Sequence, residues 1–387
     1  MAKWDWLLKP EKANSWGFGI RVAIKTAILF IVLNVLFALI NPIPAMSEVS
    51  LYNTILTGRD RLPYGENSSQ SYNITVNNIP AMFASHQVSQ PKADDEFRVL
   101  IMGDSSTWGW LLDNEDTLAS QLNHANLMTG GGQRIVAYNL GYPILSLSKD
   151  LLLLDYAMRY EPDMIVWLVT LRSMRPDQQL FPPIVQNNAD AMRELINEYD
   201  LTLDVDCDCF IEPDFIESTL VGQRRELANL LRLQFYGFSW QATGIDQYWD
   251  GFTSNRVDFD EEIDWQEYDS PTTLTIDDLA FDVLSAGVAL AGDMPILIVN
   301  EPIFIADGDN SDLHYNGWYP QWVYDNYRDL LMESADDNNW HFADLWNVVP
   351  SEAFTDSPVH TSANGVAITT ETLIPELMAI IESNLLD

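Results

Sequence analysis

The chain has 387 residues, 47% of them hydrophobic, with 13 Trp, 15 Tyr and 16 Phe. That composition can bury one sizeable core and excludes disorder over most of the length. A formal net charge of −37 excludes nucleic acid as a partner, because such a surface repels a phosphate backbone.

The N-terminus runs against this acidic trend. Lys3, Lys9, Lys12, Arg21 and Lys25 face only Asp5 and Glu11, and beyond Lys25 the chain has just two lysines, Lys92 and Lys149. Residues 1–21 read as a cytoplasmic tail and residues 22–41 as a transmembrane anchor. The apolar run from Val22 to Ile40 reaches roughly 28 Å at about 1.5 Å per residue, enough for a hydrocarbon core. Lys25 lies near its basic end and can snorkel to the headgroups. Basic residues before the run and few after it predict a cytoplasmic N-terminus and an extracytoplasmic body. A cleaved signal peptide is the competing reading. Against it stand the long segment before the run and bulky Ile43 two positions before Ala45, the best small-residue cleavage site.

Residues 42–95, entered through Asn41-Pro-Ile-Pro44, are rich in Asn, Ser and Gln and read as a stalk or wrapping segment. From residue 96 to 387 strand-like and helix-like patterns alternate. Strands are expected at Val99–Met102, Ile135–Leu140, Met164–Val169 and Pro295–Val299. Helices are expected at Thr117–Met128, Ser148–Tyr160, Ile276–Ala291, Tyr324–Asp337 and Thr370–Leu386. This alternation predicts an α/β domain, a parallel sheet covered by helices on both faces, with its site at the carboxyl ends of the strands.

The rhythm breaks between about 175 and 275, an insertion. Its helix, Arg224 to Trp240, reads as a packed lid or as a face for a membrane or partner. Cys207 and Cys209 leave room for a strained mutual disulfide and are too few for zinc. The aspartates around them lack the glycine and glutamate of a calcium loop, and Asp307–Asp312 reads as a solvated turn with calcium-like spacing. No metal and no cofactor is expected.

The chemistry concentrates at Gly103-Asp104-Ser105, where the apolar run Val99–Met102 stops and a helix-starting segment follows. A serine at a strand tip, beside helix N-terminal N–H groups, is placed as a nucleophile. Such a serine needs a base, and His360, just before the last helix, is the candidate among the five histidines. Asp356 precedes it closely and can orient its other ring nitrogen.

These residues resemble the SGNH (GDSL-type) hydrolases, a flavodoxin-like α/β/α family of esterases, lipases and carbohydrate O-acyl esterases or transferases. Three blocks carry the likeness: Gly103-Asp-Ser-Ser-Thr-Trp-Gly109, Tyr138-Asn-Leu-Gly-Tyr-Pro143, and Asp356 to His360. The resemblance implies Ser105 as nucleophile, His360 as base, and the N–H groups of Ser105 and Gly141 as oxyanion donors. Two departures stand out. The family's Gly-x-Asn-Asp block is absent after the third strand, where Arg172 falls nearest the Asn, and Asp356 lies four rather than three residues before His360. Arg172 is therefore either a substitute oxyanion donor or a salt-bridging residue at an idle site. The expectation is a membrane-anchored extracytoplasmic serine esterase acting on a small-molecule, carbohydrate or lipid ester. An O-acyltransferase using the same site and a non-catalytic envelope protein of the same fold are the alternatives.

Overall fold

The computed structural model describes residues 16–384 apart from Glu66 and Ser68, so most of the expected cytoplasmic tail lies outside the described residues. Five strands form one sheet: β1 Glu96–Met102, β2 Arg134–Asn139, β3 Met164–Val169, β4 Ile296–Asn300 and β5 His341–Asp344. Their order is β2-β1-β3-β4-β5 and every pairing is parallel. This is the flavodoxin-like order, in which the chain reverses direction across the sheet beside β1.

The helices used below are α1 Trp16–Ile40, α2 Ser105–Trp108, α3 Leu118–His124, α4 Leu147–Ala157, α5 Arg224–Thr243, α6 Phe281–Ala291, α7 Gln321–Asn338 and α8 Ala363–Asn384. Side chains alternate across each strand and both faces are buried, which explains why the strands read as unbroken apolar runs. Leu100, Tyr138, Ile165, Trp167 and Ile298 meet α4, α6 and α7 on one face. Val99, Ile101, Val166, Leu297 and Val299 meet α3 and α8 on the other. The result is a three-layer α/β/α body.

The four expected strands and five expected helices appear, Met164–Val169 with the expected bounds and the others with shifted ends, and β5 was not anticipated. Residues 42–95 are not a free stalk: they wrap the body and bury Tyr52, Leu62, Ile79, Met82, Phe83 and Val88. Their polar composition hides this because their buried polar groups are paired. Arg59 and Arg61 share Asp246 of the insertion at 3.2 and 2.8 Å. Within the insertion Cys207 and Cys209 form a disulfide. Among the described residues no group of three or more His, Cys, Asp or Glu is arranged to hold a metal ion.

α1 has 25 residues, is long and apolar enough to cross a membrane, and is almost entirely unburied. By length and composition a signal sequence passes the same test.

Candidate active site

β1 delivers the chain to Gly103, whose φ of +151° and contact with Thr107 suit only a residue without a Cβ. Asp104 then caps α2, its Oδ1 accepting the Ser106 N–H at 2.7 Å. Ser105 is the first residue of that helix, so its own N–H has no intrahelical acceptor.

The last loop brings the other partners to Ser105. His360 Nε2 lies 2.7 Å from Ser105 Oγ, and His360 Nδ1 lies 2.8 Å from Asp356 Oδ1. An ionised carboxylate only accepts, so Asp356 holds the ring proton on Nδ1 and leaves the Nε2 lone pair facing the serine hydroxyl. Burial alone raises the Asp356 pKa, but the hydrogen bond and charge of His360 outweigh it and hold the carboxyl below its usual range. The four-residue spacing works because Asp356, Ser357 and His360 form a compact turn. Thr355 N–H donates to His360 O at 2.9 Å, and Asn255 of the insertion braces the turn through the carbonyls of Thr355 and Ser357. Trp110 stacks on the His360 ring at 5.7 Å and donates to Asp356 Oδ2 at 3.2 Å. Trp108, by contrast, is fully buried packing, its Nε1 donating to Leu62 O.

The two other expected oxyanion donors, Gly141 and Arg172, each meet a partner outside the Ser105–His360–Asp356 relay. The Gly141 N–H donates to Asn139 Oδ1 at 3.0 Å in an Asx turn. Asn139 Nδ2 in turn donates to the carbonyls of Thr107 and Trp108. Gly141 is thus where the loop after β2 presses against the backbone of α2: a Cβ there would lie 2.7 Å from the Thr107 carbonyl carbon and closer still to Trp108 N. The Arg172 guanidinium lies over the Trp318 ring at 4.4 Å and has no carboxylate partner among the described residues. The salt-bridge reading of Arg172 is therefore not what the structure contains.

Sequence reasoning missed the charged layer beneath the serine. Lys149, wholly buried on α4, donates to Gly103 O at 2.8 Å and Tyr142 O at 3.0 Å, and pairs with Asp150. It pins the turn after β1 to the loop after β2. Glu301, following β4, accepts a hydrogen bond from the Ser106 hydroxyl, while its Oε1 has no partner among the described residues. Burial, then the nearby Asp104 charge, push its pKa well above the ordinary carboxyl value. The signal available in sequence was the lone lysine of a helix in a chain that carries almost none.

No family model matches the chain, and no curated protein matches it. Solved structures do match. A carbohydrate acetylesterase family member from Sinorhizobium meliloti is 17% identical over 74% of this chain and 99% of its own, with a TM-score of 0.32. A catalytic mutant of an acetylxylan esterase from Geobacillus stearothermophilus is 12% identical over 72% and 93%, with a TM-score of 0.35. A member of the lipolytic protein G-D-S-L family from Veillonella parvula DSM 2008 is 9% identical over 72% and 96%, with a TM-score of 0.34. The structural neighbours are thus esterases, but likeness at this level carries no chemistry across, and the chemistry rests on the geometry of Ser105, His360 and Asp356.

Proposed function

We propose that this chain is an SGNH-type serine esterase or O-acyl hydrolase, anchored by α1 with its body outside the cytoplasm. The observation that carries the reading is the unbroken relay from Asp356 through His360 to Ser105 at the carboxyl end of β1. Ser105 Oγ attacks the ester carbonyl as His360 Nε2 takes its proton, giving a tetrahedral oxyanion. The Ser105 N–H, at the positive end of α2, stabilises that charge. His360 returns the proton to the departing alkoxide, and the acyl group stays on Ser105. Water, deprotonated by the same imidazole, then releases the acid and regenerates the hydroxyl. Asp356 stabilises the imidazolium in both halves. Arg172, which has no carboxylate partner among the described residues, is a cation available to an acidic substrate group. The substrate is an acylated carbohydrate or lipid of the cell envelope, to which α1 would tether the enzyme.

A fluorophosphonate probe tests this, since it is attacked only by an activated serine. The expected result is stoichiometric labelling that disappears in Ser105→Ala while the thermal midpoint stays put. Folded wild-type protein that resists labelling would assign the chain to a non-catalytic role.

A further inference from the structure

One face of the insertion is built unlike the rest of this acidic protein. α5 turns Leu230, Leu233, Gly237 and Trp240 onto the body. Its outward stripe is Leu231, Phe235 and Phe238, which are 54%, 69% and 40% exposed. Those positions recur at i, i+4 and i+7, one line along the helix. Its three arginines, Arg224, Arg225 and Arg232, are exposed beside that stripe. Its only acid, Glu226, is turned inward to Asn78 Nδ2 at 3.1 Å. A net-cationic outer face with an apolar line is exceptional in a chain of charge −37, and it is the pattern of a helix lying in a membrane interface.

Two neighbours extend the face. Gln234 of α5 accepts from Leu51 N–H at 2.8 Å and donates to Val49 O at 3.0 Å. This ties exposed Val49, Leu51 and Ile55 to the same helix. The segment 211–221 presents Ile211, Phe215, Ile216 and Val221, with Ile216 73% exposed, alongside the exposed acids Glu212, Asp214 and Glu217, of which Glu212 pairs with Arg193. Its Val221 N–H donates to Asn34 Oδ1 of α1 at 3.0 Å. Asn34 is the one buried residue of α1, and it precedes the helix end at Ile40 by about 9 Å along the axis, at about 1.5 Å per residue. If α1 spans a bilayer, residues 211–221 meet it below the helix end, at the depth of the boundary between headgroups and acyl chains.

We propose that this face, formed by α5 with residues 49–55 and 211–221, beds into the outer leaflet of the membrane that α1 crosses. The arginines contact lipid phosphates and the apolar residues enter the upper acyl region. The proposal rests on the reading of α1 as a membrane span and is independent of the esterase chemistry.

The test uses the full chain in phosphatidylcholine vesicles brominated on the acyl chains. An environment-sensitive fluorophore is attached to Phe235→Cys, Ile216→Cys, Phe30→Cys or Asp329→Cys, one at a time; Cys207 and Cys209 are held in their disulfide. The expected result is blue-shifted emission, quenched severalfold by bromine, at positions 235, 216 and 30. Position 329, exposed on α7, stays water-like. Quenching at 30 with water-like emission at 235 and 216 would overturn the docking and leave the span intact. A blue shift at 235 and 216 without bromine quenching would assign the face to a second copy or another protein instead. An unquenched position 30 would refute the span and the docking with it, whatever the labelling of Ser105.

Discussion

Gly141→Ala separates two explanations of why a glycine stands after β2. If the position mattered only through its N–H, alanine would be silent, since it keeps that N–H. The structure gives a different reason: the new Cβ would stand 2.7 Å from the Thr107 carbonyl carbon, where ordinary contact begins at 3.4 Å. The obstacle is the backbone of α2 and not a flexible side chain, so helix and loop must part by about 0.7 Å or more. That helix carries Ser105, whose hydroxyl is 2.7 Å from His360 Nε2. A misplacement of about 1 Å at reacting groups costs on the order of a hundredfold in rate, and overpacking a filled site costs about 1–3 kcal/mol of stability. Gly141→Ala should therefore slow fluorophosphonate labelling by about two orders of magnitude and lower the thermal midpoint by several degrees. Gly131→Ala, whose Cβ would meet nothing nearer than Thr129 Oγ1 at 3.6 Å, is the control and should leave the labelling rate unchanged. Wild-type labelling and stability in Gly141→Ala would refute the close-approach reasoning.

Asp356→Asn should reduce ester turnover about 10³–10⁴-fold, the loss seen when a triad carboxylate is neutralised. The same variant tests linkage. The Asp356 carboxyl is held below its usual range in the fold, so its stabilisation is present above the ordinary carboxylate pKa and lost as pH falls through the folded value. The gap in thermal midpoint between wild type and Asp356→Asn should narrow on acidification, as scanning calorimetry across pH will read. Glu301→Gln carries the opposite sign. A raised carboxyl pKa stabilises most below its ordinary 4.5 and loses that contribution as pH climbs toward the folded value. The variant should match wild type at acid pH and exceed it in thermal midpoint at alkaline pH; parallel pH profiles would contradict a raised Glu301 pKa. Arg172→Ala should lower kcat on a neutral ester by less than about tenfold, short of the hundredfold or more of a lost oxyanion donor. On an acidic ester it should raise KM, and Arg172→Lys should recover part of that rise.

Much of the fold was legible because β1, β3 and β4 are buried on both faces, which forces runs such as Val99–Met102 to be continuously apolar. β5 escaped because His341-Phe-Ala-Asp344 is a short edge strand with an exposed first residue, and an edge strand need not be apolar. The start of α8, expected at Thr370, lies earlier: Gly365 sits inside the helix, where a Cβ would lie 2.7 Å from Thr361. Residues 42–95 were opaque because hydropathy sees Asn53, Arg59, Arg61 and His86 as surface, whereas each is buried and hydrogen-bonded. At the site, Ser105 and His360 declared themselves by position. The commitment of the Gly141 N–H to Asn139 did not, because an Asx turn and an oxyanion donor look alike in a six-residue block.

The wrapping segment and the insertion meet at one place, and that place bears on the nucleophile. Asp246, just beyond α5, is held between Arg59 and Arg61 with almost no solvent exposure. Arg61 also donates to the carbonyls of Gly109 and Leu112 at 2.8 and 3.2 Å, capping the far end of the segment that starts with Ser105. Its guanidinium stacks on the Trp108 ring at 4.5 Å. Removing one member of such a buried pair leaves an uncompensated charge and typically costs about 3–5 kcal/mol, so the three segments cannot be rearranged independently. α5 is thereby joined, through Asp246 and Arg61, to the segment that presents Ser105. A face that beds α5 into a bilayer would, by this linkage, fix the orientation of the serine relative to the membrane surface. That is a geometry suited to an ester displayed at that surface.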